Sequence, residues 1–177
     1  MNRSTAIVMC VLTLFLSGCQ GPLLANQGNQ VSVGLENNHS NNHNVSGYLF
    51  EAPVENVTFR VTNDSGIRKS INPFSLSYKI RGGFNDGITY TNVTLESGDP
   101  LTELHGSAAP NETVETTTDY THEGRVTLVG IVTTNSGEVV GISIMRCSGN
   151  SVAIQFVYST QVGDPDLAGY HASCSRD

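Results

Sequence analysis

From residue 54 onward the apolar positions recur at every second residue, which is the period of a strand with one buried face. In "VENVTFRVTN" (54–63), Val57, Phe59 and Val61 point one way while Asn56, Thr58, Arg60 and Thr62 point the other. "FSLSYKI" (74–80) alternates in the same way, sending Phe74, Leu76, Tyr78 and Ile80 inward after a break at Asn72-Pro73. "GGFNDG" (82–87) is turn chemistry, so "ITYTNVTLE" (88–96) is expected to fold back on 74–80 as a hairpin. The hairpin signal in "RVTLVGIVTTNSGEVVGISIMR" is stronger, because Asn135-Ser136-Gly137 separates Val126–Thr134 from Val139–Arg146. Leu128 to Val132 carries apolar residues on both faces, which predicts a central strand. "SVAIQFVYS" (151–159) closes the series, burying Val152, Ile154, Phe156 and Tyr158.

No long segment repeats apolar residues at i, i+3, i+4 and i+7, so helix is at most a minor component. Some eight short strands separated by Gly, Asn and Pro turns predict an all-β fold. The expected form is an antiparallel β-sandwich of two packed sheets, each with a wet outer face, and a small closed β-barrel is the alternative. "AAPNETVETTT" (108–118) resembles the turn-and-strand of immunoglobulin-like extracytoplasmic domains, although the Trp and paired cysteines of true immunoglobulin domains are missing. The stretch 20–47 is rich in Asn, Gln and Gly and reads as a flexible tether, interrupted by a short strand at Val31 to Leu35. The domain reading is therefore 1–18 leader, 19–47 tether and 48–177 sandwich.

The N-terminus explains what such a tether would hold. Arg3 precedes an apolar run of about 11 residues, Ala6 to Leu16, too short to span a bilayer and read as a signal peptide. Leu16-Ser17-Gly18-Cys19 resembles the lipobox of bacterial lipoprotein precursors. The resemblance implies cleavage before Cys19 and a diacylglyceryl group on its thiol, with Gln20 favouring an outer membrane. With Cys10 in the leader and Cys19 under lipid, Cys147 and Cys174 remain as an even pair in an oxidising setting. Their disulfide would pin the tail 160–177 and contribute about 3–4 kcal/mol. The other reading, two reduced thiols in a metal or redox site, lacks neighbouring ligands.

Net charge is -7 with nine Lys plus Arg, so nothing would neutralise a phosphate backbone and no nucleic-acid partner is expected. An anionic bilayer would repel the chain, leaving the lipid as the means of attachment. His39 and His43 are spaced for chelation on a helix, but the Asn and Ser between them favour a solvated linker. Asp119, His122 and Glu123, with His105 and Ser107 upstream, supply hydrolase residue types without a G-x-S-x-G elbow. Asp164 and Asp166 suit a turn better than a calcium site. No metal or cofactor is expected. Asn-x-Ser/Thr occurs at Asn38, Asn44, Asn56, Asn63, Asn92 and Asn111. The expectation is a non-enzymatic, outer-membrane-anchored lipoprotein presenting its β-sandwich to an envelope protein partner. The alternative is a secreted, N-glycosylated ligand-binding ectodomain.

Overall fold

The computed structural model describes residues 29–54, 57–72, 89–161 and 164–175. Among the described residues there are strands and no helix. In chain order they are β1 (Gln30–Asn38), β2 (His43–Glu51), β3 (Thr58–Asn63), β4 (Arg68–Ile71), β5 (Tyr90–Ser97) and β6 (Thr102–Ala108). There follow β7 (Glu112–Asp119), β8 (Val126–Thr134), β9 (Val139–Cys147), β10 (Ser151–Gln161) and β11 (Asp164–Ser175). They form three open sheets: sheet I in the order β11-β10-β1-β7, sheet II in the order β6-β2-β8-β9, and sheet III in the order β4-β3-β5. The all-β expectation holds, and the open edges exclude the closed barrel.

Sheets I and II face each other across the main core, in which Val31, Val33 and Leu35 of β1 and Val152, Ile154 and Phe156 of β10 meet Val45, Leu49, Leu128 and Val132 of sheet II. Each such side chain contributes about 1.5–3 kcal/mol relative to exposure. A second core lies on the other face of sheet II. There Tyr48, Phe50, Val129 and Ile131 pack on Val57, Phe59, Val61 and Ile71 of the sheet III region. Sheet II is therefore covered on both faces along β8, while its edge strand β6 keeps Glu103, His105 and Ser107 in water. The two-faced apolar run of β8 is the signature of this, since β8 lies between β2 and β9 in the middle layer.

The largest correction concerns the tether. The short strand expected at Val31 to Leu35 is the middle of β1, which runs over 30–38, and residues 43–47, expected in a flexible linker, form most of β2. β1 is a central strand of sheet I, antiparallel to β7 and parallel to β10. That parallel pair departs from the expected all-antiparallel pattern. Polar composition obscured these strands because Asn37 and His43 are themselves buried and hydrogen-bonded. Most of the expected tail is likewise a strand, β11, the edge strand paired with β10 from Ser151↔Ser175 to Gln161↔Asp164. The strand expected at 74–80 and its turn at 82–87 lie outside the described residues. The described part of their expected partner, β5, pairs with β3. The β8–β9 hairpin forms as read, from Val126↔Cys147 to Thr133↔Val139.

Candidate functional site

One end of the sandwich is built by the β1–β2 and β6–β7 turns, locked together by a single asparagine. Asn37 is fully buried, and its Nδ2 points at the carbonyls of Asn41 (2.8 Å), Ala108 (3.0 Å) and Ala109 (3.1 Å). Its Oδ1 accepts the His39 N–H at 3.1 Å, and its own carbonyl accepts the Asn111 N–H at 2.7 Å. Beside it, the rings of His39 and His43 meet edge-on with centroids 5.2 Å apart, and His43 lies 4.2 Å from the ring of Tyr158. His43 is 1% exposed, which corrects the solvated-linker reading. Its Nδ1–H donates to the Asn41 carbonyl at 3.0 Å, while Nδ1 of His39 accepts the Asn41 N–H at 3.1 Å. Both imidazoles thus spend a ring nitrogen on one residue of the turn, which is turn-locking chemistry. No group of three metal-ligating side chains occurs among the described residues.

The hydrolase residue types do not converge. Ser107 pairs with Asn44 across β2 and β6, whereas Asp119 lies in sheet I opposite Gln30. His122 follows β7 and approaches Glu51 at 3.9 Å. His105 instead joins two residues that the sequence did not flag: its Nδ1 is 3.1 Å from Ser46 Oγ and its Nε2 is 3.5 Å from Glu103. The Glu103–His105 spacing of two residues on one strand face was the available signal. Beside them burial pushes the Tyr48 phenol up, and the charge of Glu103 adds to this against a hydrogen bond with Ser46. Yet Ser46 sits mid-strand between β6 and β8, in a regular ladder that offers no oxyanion donors. The side chains of His105 and Glu103 are about half exposed, so this Ser–His–Glu line lies on the surface, with one hydrogen bond between Ser46 and His105.

Among the glycosylation triplets, Asn38, Asn92 and Asn111 are exposed, Asn44 and Asn63 are half-buried, and Asn56 lies outside the described residues. Asn92 and Asn111 adopt φ of 53° and 59°, a region where Asn is favoured among side-chain-bearing residues. Asp164 and Asp166 open β11, and their side chains lie outside the described structure.

At the opposite end, Cys147 closes β9 and Cys174 lies near the end of β11, with their Cα atoms 5.5 Å apart in a disulfide. The bond joins the edge of sheet II to the edge of sheet I, as the cysteine count led one to expect. The chain enters the fold at this same end. Asn29 donates through Nδ2 to the His122 carbonyl at 2.6 Å, and the Gln30 N–H reaches the Asn150 carbonyl at 2.8 Å. Cys19 lies outside the described residues.

Neither a curated protein nor a solved structure matches this chain. A family model described as "Halobacterial Ig domain protein" matches residues 1–176. The immunoglobulin-like reading made from residues 108–118 thus extends to the whole chain, and a disulfide in such a family is the mark of an extracytoplasmic protein. The layered strands, the bonded sheet edges and the match over residues 1–176 converge on one assignment: the chain belongs to the halobacterial Ig domain family.

Proposed function

We propose that this protein is a non-enzymatic, membrane-anchored Ig-like module, held outside the cell by a lipid on Cys19 and presenting its sheet edges and far-end turns to a protein partner. The observation that carries the reading is positional. Asn29 and the disulfide share one end of the sandwich, so an anchor at Cys19 attaches there and leaves the turns at Asn37–Asn41 and Ala109–Asn111 facing away. Residues 20–28 span at most about 30 Å when fully extended, which keeps the domain close to its bilayer. Among the described strands β7 and β11 are the edges of sheet I, and such edges offer backbone groups for strand addition. The outer-membrane destination suggested by Gln20 is not carried over, because halobacteria have no outer membrane; the anchoring bilayer is the cell membrane.

The test is a mass spectrum of the mature N-terminus together with cell fractionation of the Cys19→Ala protein. Added acyl mass on Cys19, and release of the variant from membranes, are the expected results. An unmodified N-terminus on the wild type, or a variant that stays with membranes, would overturn the anchor. A second reading, a secreted and N-glycosylated ligand-binding ectodomain, is favoured by the exposure of Asn38, Asn92 and Asn111 together with the Ser or Thr of each triplet. It requires glycan mass on peptides that contain them and no acyl mass on Cys19.

A further inference from the structure

Where β2 ends and the chain leaves β5, the surface closes around a hollow of about 380 Å³. Its floor is apolar. Phe50 and Val57 are 3% and 4% exposed and belong to the second core, so they are held from behind, and Val54 completes the wall. Gly98 keeps the space open. It adopts φ +107°, and a Cβ at this position would stand 2.7 Å from Cγ2 of Val57 and 3.4 Å from Cε1 of Phe50. Among the described residues that line the hollow, the charged side chains are of one sign, Glu51 and Asp99. Glu51 has the His122 imidazole at 3.9 Å, and Asp99 makes no ion pair among the described residues.

An apolar floor under two carboxylates matches one kind of side chain, an alkyl stem that ends in a cation. We infer that this hollow receives a lysine or arginine side chain of the protein partner, the methylenes lying on Phe50, Val54 and Val57 and the charged head between Glu51 and Asp99. An acidic or fatty-acid ligand would bring its own negative charge against the same two groups. The inference rests on the reading of a protein-binding module and adds to its sheet edges and far turns a contact near the membrane-proximal end, naming the chemistry of the partner residue that enters there.

The test needs no partner. The full chain carrying Cys19→Ala is titrated with hexylammonium, hexanol and hexanoate, and backbone amide shifts are followed by NMR at two ionic strengths. Hexylammonium should saturate in the millimolar range and shift the amides of Val57, Gly98 and Asp99. It should bind about threefold or more tightly than hexanoate, the ratio that partly exposed ion pairs supply, and the margin should narrow in high salt. In the Glu51→Gln, Asp99→Asn double variant the preference for the ammonium should vanish while hexanol still binds, which separates a lost charge from a lost fold. Equal binding of hexanoate, or shifts that map away from Val57 and Gly98, would overturn the inference. Because the readout is independent of lipid, such a failure leaves the fractionation result standing, and a failed fractionation leaves this titration standing.

Discussion

The ring of Phe156 in sheet I rests against the backbone of Gly130 in sheet II, so closely that a Cβ on residue 130 would stand 2.7 Å from Cε2 and 3.0 Å from Cζ of the ring. Phe156 is fully buried, so the ring has nowhere to retreat. Gly130→Ala is expected to lower stability by about 1–3 kcal/mol through overpacking. Trimming the ring with Phe156→Leu in the same chain should recover part of that loss. A double-mutant cycle in denaturant measures the coupling, and additive effects would show that the two sheets are not in contact there.

Asn37 ties two turns that are far apart in sequence, and it is the residue that a composition-based reading most readily assigns to solvent. Asn37→Ala leaves the carbonyls of Ala108 and Ala109 without their side-chain donor. The expected cost is about 2–3 kcal/mol. Asn37→Asp should cost more, because a carboxylate oxygen would then face those carbonyls. Unchanged thermal midpoints for both variants would refute this role.

Ser143 pairs with Gly130 across β8 and β9 and is 3% exposed, and its hydroxyl has no hydrogen-bond partner among the described residues. An unsatisfied buried hydroxyl is a cost, so Ser143→Ala should raise stability by about 1 kcal/mol. A lower denaturation midpoint in this variant would mean that the hydroxyl has found a partner in solution.

Replacing both Cys147 and Cys174 by Ser should lower stability by about 3–4 kcal/mol on the chain-entropy model. The effect should be local as well as global, since the bond is what fastens β11 to the rim of sheet II. Hydrogen exchange should accelerate first at residues 169–175. Uniform acceleration across all strands would argue instead for purely global destabilisation.

On the outer face of sheet III, a hydrogen bond from Ser70 and then one from Arg60 hold the carboxyl of Glu96 below the usual range. The folded state therefore favours the ionised form. The stability this confers is present above the ordinary glutamate value of about 4.3 and is lost as pH falls through the lowered one. Glu96→Gln should be less stable than the wild type at neutral pH, by a small margin because the site is open to water, and the two midpoints should converge in acid. A gap of constant size from pH 7 to pH 3 would contradict the assignment.

The period-two pattern made legible those strands whose buried positions are aliphatic or aromatic. Val57, Phe59 and Val61, the β8–β9 hairpin and the inward set of β10 all lie where alternation put them. Segments that bury polar groups were not legible. β2 contains His43 and Gly47, and β1 ends in Asn37-Asn38, so beyond the short strand read at Val31 to Leu35 their composition resembled a linker although their backbones are laddered on both sides. β6, with Glu103 and His105 exposed, and β4, with Arg68 and Lys69 exposed, carry too few apolar positions to register as strands. The third layer could be inferred only from β8, whose apolar residues on both faces require cover on each side. The Ser46–His105 contact joins residues from two strands, so no spacing within one segment could reveal it.

The direction of β1 has a mechanical consequence. It begins at the end where the chain enters and runs toward the far turns, flanked by β10 from Gln30↔Ser151 to Asn38↔Ser159 and by β7 on its other side. A load between the N-terminal chain and the far end pulls β1 along its own axis, so the rungs on both sides are strained together in shear and not opened one at a time. The short strand that stood alone in a stretch read as slack is the one through which such tension passes.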